Sequence, residues 1–193
     1  MIKMIRAFIA IELKDPKTLD NIQTFSSRIK QNQPRVKLVK PENLHLTIKF
    51  LGDIKEELAP QIFSFIKDEI NLKMFKGQTL DYSLKGVGQF NKFTVLWIMM
   101  KGDIQFLQNV KETVEEGLYT GLKIPKDKRI QFKPHLTIGR LRKEKIDYKN
   151  LTSLKNIFNE NNTRDFGPFT INQVKLKKSV LTPQGPIYSD LKY

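Results

Sequence analysis

The chain contains two histidines, and both open the same tetrapeptide: His45-Leu46-Thr47-Ile48 and His135-Leu136-Thr137-Ile138. With each residue type at roughly 5–10% of an ordinary chain, a chance match of the three residues after His is on the order of one in several thousand. In an extended strand, side chains two apart share a face. Each tetrapeptide therefore predicts a strand with His and Thr on one face and Leu and Ile turned into a core. Two such strands across a cleft present two imidazoles and two hydroxyls. That set suits cleavage of a phosphodiester. One imidazole takes a proton from the nucleophile and the other returns one to the leaving oxygen. The hydroxyls hydrogen-bond the phosphoryl oxygens as charge develops. Two His and no Cys make a poor transition-metal site; carboxylate ligands stay open, and the expectation is neither a metal nor a cofactor. The competing reading is a duplicated packing motif, because Thr favours strands and a strand His is ordinarily a packed side chain.

Five residues after each His the copies differ. Arg140 follows His135 at that offset, and its forked guanidinium suits a phosphate. Phe50 follows His45, and is either a base-stacking platform or a core residue. Arg142 reads as a solvated strand end.

The rest of the chain must place these groups. Its 193 residues are 39% hydrophobic with 13 Phe, which is enough for a sizeable core and excludes whole-chain disorder. The net charge is +14, from 34 basic and 20 acidic residues. That surplus fits an anionic partner such as nucleic acid as well as a Lys-rich solvated surface. The absence of Cys excludes disulfides and a thiol nucleophile. The longest apolar run, 95–100, is far too short for a membrane span. The N-terminal apolar stretch ends at Glu12 and reads as a strand rather than a signal peptide. An intracellular protein follows as the expectation.

Pattern reading gives a strand at 6–13, then a helix opened by Asp15-Pro16 and running to about 30. A short strand at 36–39 and a strand at 45–51 ended by Gly52 follow. Further helices fall at 58–70, at 104–118 ended by Gly121, and at 148–158. Strands fall at 80–87, 93–100 and 135–141, and a basic loop follows Ile124-Pro125. The tail, 169–193, reads as two strands joined by a turn at 183–186. Strands and helices alternate, predicting an α/β or α+β chain. The order strand, helix, His strand, helix occurs twice, which predicts two similar lobes about a pseudo-two-fold axis.

With their flanks, the paired motifs resemble the two-histidine (2H) phosphoesterase superfamily. The resemblance extends over Arg6-Ala7-Phe8-Ile9-Ala10-Ile11, over 42–52 and 132–140 around the two His, and over 179–188 near the end. Within the superfamily these segments resemble the RNA 2′,3′-cyclic phosphodiesterases, first described as 2′-5′ RNA ligases. It implies an α+β fold of two pseudo-symmetric lobes in a single domain spanning 1–193. Each lobe would be an antiparallel sheet backed by helices, with a central active-site cleft between them. It implies metal-independent hydrolysis of an RNA-terminal 2′,3′-cyclic phosphate to a 2′-phosphate. His45 would be the proton donor and His135 the proton acceptor. Thr47, Thr137 and Arg140 would hold the phosphate. The alternatives are a 2′-5′ RNA ligase, the same bond made in reverse, and a non-catalytic RNA-binding module. The expected partner is an RNA with a cyclic phosphate end, met by a cytoplasmic monomer away from membranes.

Overall fold

The computed structural model describes residues 2–128 and 132–193. The elements run β1 (Met4–Glu12), α1 (Pro16–Asn32), β2 (Lys37–Leu38), β3 (His45–Lys55), α2 (Ala59–Phe65), β4 (Leu80–Phe90), β5 (Val95–Lys101), α3 (Ile104–Leu122), β6 (His135–Arg140), α4 (Leu151–Glu160), β7 (Asp165–Ile171), β8 (Lys175–Thr182) and β9 (Gly185–Asp190). Beyond Phe65, α2 continues as a π-helix through Ile66–Phe75. Part of the expected basic loop, residues 129–131, lies outside the described residues. Among the described residues, no helix is long and apolar enough to cross a membrane.

Local chemistry sets the helix starts. The Asp15 carboxylate accepts from the Thr18 N–H at 2.7 Å, and Pro16 occupies the first turn of α1. The Asp103 carboxylate caps α3 in the same way, at 2.9 Å from the Phe106 N–H. Helical spacing then buries Ile22, Phe25 and Ile29 on α1 and Leu107, Val110, Val114 and Leu118 on α3.

The strands form one antiparallel sheet in the order β7-β4-β5-β6-β3-β1-β8-β9, with β2 beside the end of β6. Its centre is the junction of β6 with β3, where the paired residues are Leu46 and Leu136. The equivalent leucines of the two tetrapeptides thus meet on the pseudo-two-fold axis. Both are buried, each side chain contributing about 2–3 kcal/mol of apolar burial. Four strands lie on either side, which gives the expected two lobes.

The lobes are not consecutive halves of the sequence. β1 and β3 are completed by the hairpin β8–β9, while β4 to β7 build the other side. Two helices also cross over. α1 packs on β7, where the Thr18 hydroxyl donates to the Pro168 carbonyl at 3.0 Å and the Phe25 ring meets Phe166. α3 packs on β3.

Of the boundaries that differ from the sequence expectation, three bear on the sheet and helix ends described here. Gly52 does not end β3: its positive φ of 71° carries an irregularity, and the strand continues to Lys55. Gly121 lies inside α3, which ends at Lys123 in the left-handed conformation. The tail holds three strands rather than two, because β7 begins at Asp165 and pairs with β4 on the opposite side from β8.

Candidate active site

Helices cover one face of the sheet, and the histidines stand on the other. In β3 and β6 the burial sequence is the same over six residues: half-buried His, buried Leu, half-buried Thr, buried Ile, a buried residue, then an exposed one. Strict alternation would send Phe50 and Arg140, five residues after His, to the Leu/Ile face. A bulge corrects this in both strands. Between β1 and β3 the register steps from Thr47 to Lys49, leaving Ile48 without a partner. Between β5 and β6 it steps from Thr137 to Gly139, leaving Ile138 unpartnered. One extra residue flips the phase. Lys49 and Gly139 therefore turn under the sheet, and Phe50 and Arg140 join His and Thr on the open face. Phe50 is 51% exposed, so of its two readings the core residue is excluded.

The antiparallel pairing of Leu46 with Leu136, extended one residue each way, sets His45 across from Thr137 and His135 across from Thr47. A cleft of about 540 Å³ is lined by Thr47, Phe50, His135, Thr137 and Arg140, with Phe90 and Phe132 among its walls. His45 stands beside this cavity, packed between Phe8 at 5.0 Å and Tyr188 at 5.5 Å between ring centroids.

Both imidazoles are anchored alike. His45 Nδ1 lies 2.6 Å from the Asn43 carbonyl, and His135 Nδ1 lies 2.5 Å from the Lys133 carbonyl, each two residues upstream. A carbonyl only accepts, so Nδ1 carries a proton in each ring and Nε2 is the atom that exchanges one. On the His45 side the anchor is itself tied down: Asn43 is buried and its amide donates to the Pro186 carbonyl at 3.0 Å. The hairpin β8–β9 thus helps hold the ring. His135 instead packs against Phe90 at 5.2 Å and Trp97 at 5.7 Å. The Trp97 indole N–H is buried and has no hydrogen-bond partner among the described residues.

Burial holds the His45 pKa below its ordinary 6.5, the Lys177 and Arg140 cations push the same way, and the Asn43 bond and the Glu12 carboxylate oppose them. Glu12, the register partner of His45, is bound by two ammonium groups. Lys175 Nζ sits 2.6 Å from one of its oxygens and Lys177 contacts the other, and both lysines also bind Asp190 at 2.7 and 2.6 Å. Under the sheet, Lys49 is 1% exposed and lies 2.5 Å from Glu115. Glu115 also holds Lys111 at 2.7 Å, and Lys111 reaches Asp127 at 2.8 Å. Sequence reasoning missed both charge clusters and the aromatic packing around the imidazoles. Alternation in β1, which puts Phe8 and Glu12 on one face, was the available signal. Among the described residues no group of three or more His, Asp or Glu side chains is placed to hold a metal ion.

Comparison with known proteins agrees with this architecture. The chain is 35% identical over 190 residues to an RNA 2′,3′-cyclic phosphodiesterase of Methanocaldococcus jannaschii, covering 97% of this chain and 98% of the relative. It is 30% identical over 191 residues to the protein of the same name from Methanothermobacter thermautotrophicus, covering 97% and 96%. Among solved structures, TT0787 of Thermus thermophilus superposes with a TM-score of 0.72 at 23% identity, over 97% of this chain and 96% of that one. Apo LigT of E. coli superposes at 0.68 and 18% identity, over 98% and 96%. These two likenesses establish the fold. Residues 7–189 match the AKAP7 2′5′ RNA ligase-like domain, and the chain belongs to that family of two-histidine phosphoesterases.

Proposed function

We propose that the protein hydrolyses the 2′,3′-cyclic phosphate at the end of an RNA, leaving a 2′-phosphate, without a metal. The observation that carries this reading is the pair of carbonyl-anchored imidazoles, each set across from the other motif's threonine. In the forward reaction His135 Nε2 takes a proton from water, and the oxygen of that water bonds to phosphorus. The bond from phosphorus to the 3′ oxygen breaks, and that oxygen leaves with the proton of His45 Nε2. Burial and nearby cations disfavour a charged His45 in the free protein, and the negative charge of a bound phosphate opposes them. Thr47, Thr137 and Arg140 hold the phosphoryl oxygens. Phe50 carries the terminal base by stacking. Relatives named RNA 2′,3′-cyclic phosphodiesterase support the substrate, and the +14 charge fits a polyanion. The protein would act as a cytoplasmic monomer, a single two-lobed domain. With an RNA 5′-hydroxyl in place of water as the nucleophile, the same step bonds the 5′ oxygen to phosphorus, releases the 3′ oxygen and makes a 2′-5′ bond. The ligase-like family description favours that second reading.

The test is an oligoribonucleotide ending in a 2′,3′-cyclic phosphate, incubated with excess chelator and followed by phosphorus NMR. A 2′-phosphate from wild type, absent with His45→Ala and His135→Ala, is the expected result. Turnover that is lost in chelator and restored by a divalent ion would overturn the metal-free chemistry. RNA binding without turnover would leave a binding module.

A further inference from the structure

On β1, Arg6 and Phe8 share the open face of the sheet, one pleat apart, about 7 Å along the strand. The burial pattern of β1 is regular there, with Arg6 exposed between buried Ile5 and Ala7. Phe8 pairs with Phe50, and its ring meets His45, Phe50 and Tyr188 at 5.0, 6.4 and 4.8 Å. Arg6 therefore sits on the open face beyond Phe8, outside the lining of the cleft and on the side of Phe50 away from the paired histidines. Its register partner Asp53 is exposed and forms no ion pair with it. Among the described residues, the guanidiniums of Arg6 and Arg140 make neither hydrogen bonds nor ion pairs. The Tyr188 phenol lies within electrostatic reach of both: burial pushes its pKa up, and Arg140 and Arg6 pull it down. Arg6 and Arg140 thus stand on the same open face as the Phe8, Phe50 and Tyr188 rings. A phosphate or phosphodiester is the group that each such fork recognises.

Resting on the functional reading above, we propose that Arg6 is a specificity-determining residue that binds the phosphodiester immediately 5′ of the terminal nucleotide. Arg140 serves the cyclic phosphate, Phe50 the base, and Arg6 the next link of the chain. The site then selects the end of an RNA strand over a free cyclic nucleotide. The selection is made by the charge of the chain, since a phosphate contact carries no base information.

Two dinucleotides ending in a 2′,3′-cyclic phosphate separate the possibilities, one with a natural internal phosphodiester and one with an uncharged methylphosphonate. Wild type is expected to favour the charged substrate about 10-fold in kcat/KM, the scale of one charge-assisted contact at a partly solvated site. Arg6→Ala collapses that ratio to near one, and Arg6→Lys, which keeps the charge but not the fork, retains part of it. A wild-type ratio near one, or a full ratio in Arg6→Ala, overturns the assignment of Arg6. Failure of wild type to open either substrate overturns the functional reading instead. Because Arg6 is exposed, circular dichroism and melting of the variants should match wild type, and a ratio that changes only with a lost fold would also count against the assignment.

Discussion

Opposite His45 on the neighbouring strand stands Glu12; opposite His135 stands Met99. Opposite Thr47 stands Ala10; opposite Thr137 stands Trp97. Beyond the bulge, Phe50 faces Phe8 in one lobe, and Arg140 faces Val95 in the other. The residue turned beneath the sheet is a buried lysine on the first side and a glycine on the second. The backbone device is the same in both lobes: tetrapeptide, upstream carbonyl anchor, bulge at Ile. Every neighbour of that device differs. The duplicated part fixes where Nε2 points, and the unduplicated part decides how readily each ring holds its proton and what it meets. His45 lies between the Phe8 and Tyr188 rings, with Glu12 and Lys177 acting on it, in the half completed by the C-terminal hairpin. His135 packs against the Phe90 and Trp97 rings and lines the cleft.

The largest expected effect tests whether the two rings have separate tasks. His45→Ala and His135→Ala should each lower kcat about 10²–10⁴-fold, and the double variant should lose little beyond the worse single one, as for groups acting as a unit. Losses that simply add would mean that the rings work independently. Next comes the buried lysine that replaces glycine. Lys49→Met removes one partner from a buried pair, and urea unfolding should show a loss of about 2–3 kcal/mol, moderated because Lys111 still holds Glu115. Gly139→Ala, whose added Cβ would lie 3.3 Å from Val36, should cost less. An equal loss would remove the distinction between the lobes.

The smallest effect is in pH dependence. A His45 pKa below 6.5 in the folded chain means that the unfolded chain binds the proton first as pH falls. Stability should therefore decline from about pH 6.5 downward, and His45→Gln should flatten that limb. Glu12 and Asp190 are held below their ordinary 4.5 and 3.8 by the two lysines, so their stabilisation persists above those values and fades only at lower pH. Between pH 5 and 7 the difference in melting temperature between wild type and His45→Gln thus reports His45. A limb unchanged by His45→Gln would locate the titration elsewhere.

The chemical groups were legible because a repeated tetrapeptide needs no fold to be noticed. Period-two alternation then placed His and Thr together and Leu and Ile beneath. It could not place Phe50 and Arg140, whose face depends on one unpartnered residue per strand, and a bulge at Ile leaves no compositional mark. Lys49 was illegible for the same reason, since alternation puts it in the open and the phase change puts it under the sheet. Tyr188 and Lys177 lie more than 130 residues from His45 and reach it only because β8 returns to β1. Chain order suggested two consecutive halves, and only strand pairing shows the interleaving.

Each bond from Nδ1 to an upstream carbonyl removes rotational freedom from an imidazole while the chain folds. A ring free to turn would have to be caught in a productive orientation in every catalytic cycle, at about 0.5–1.5 kcal/mol for each side chain immobilised. Here that entropy is surrendered once, in the making of the native state, and both proton-carrying atoms are aimed before a substrate arrives.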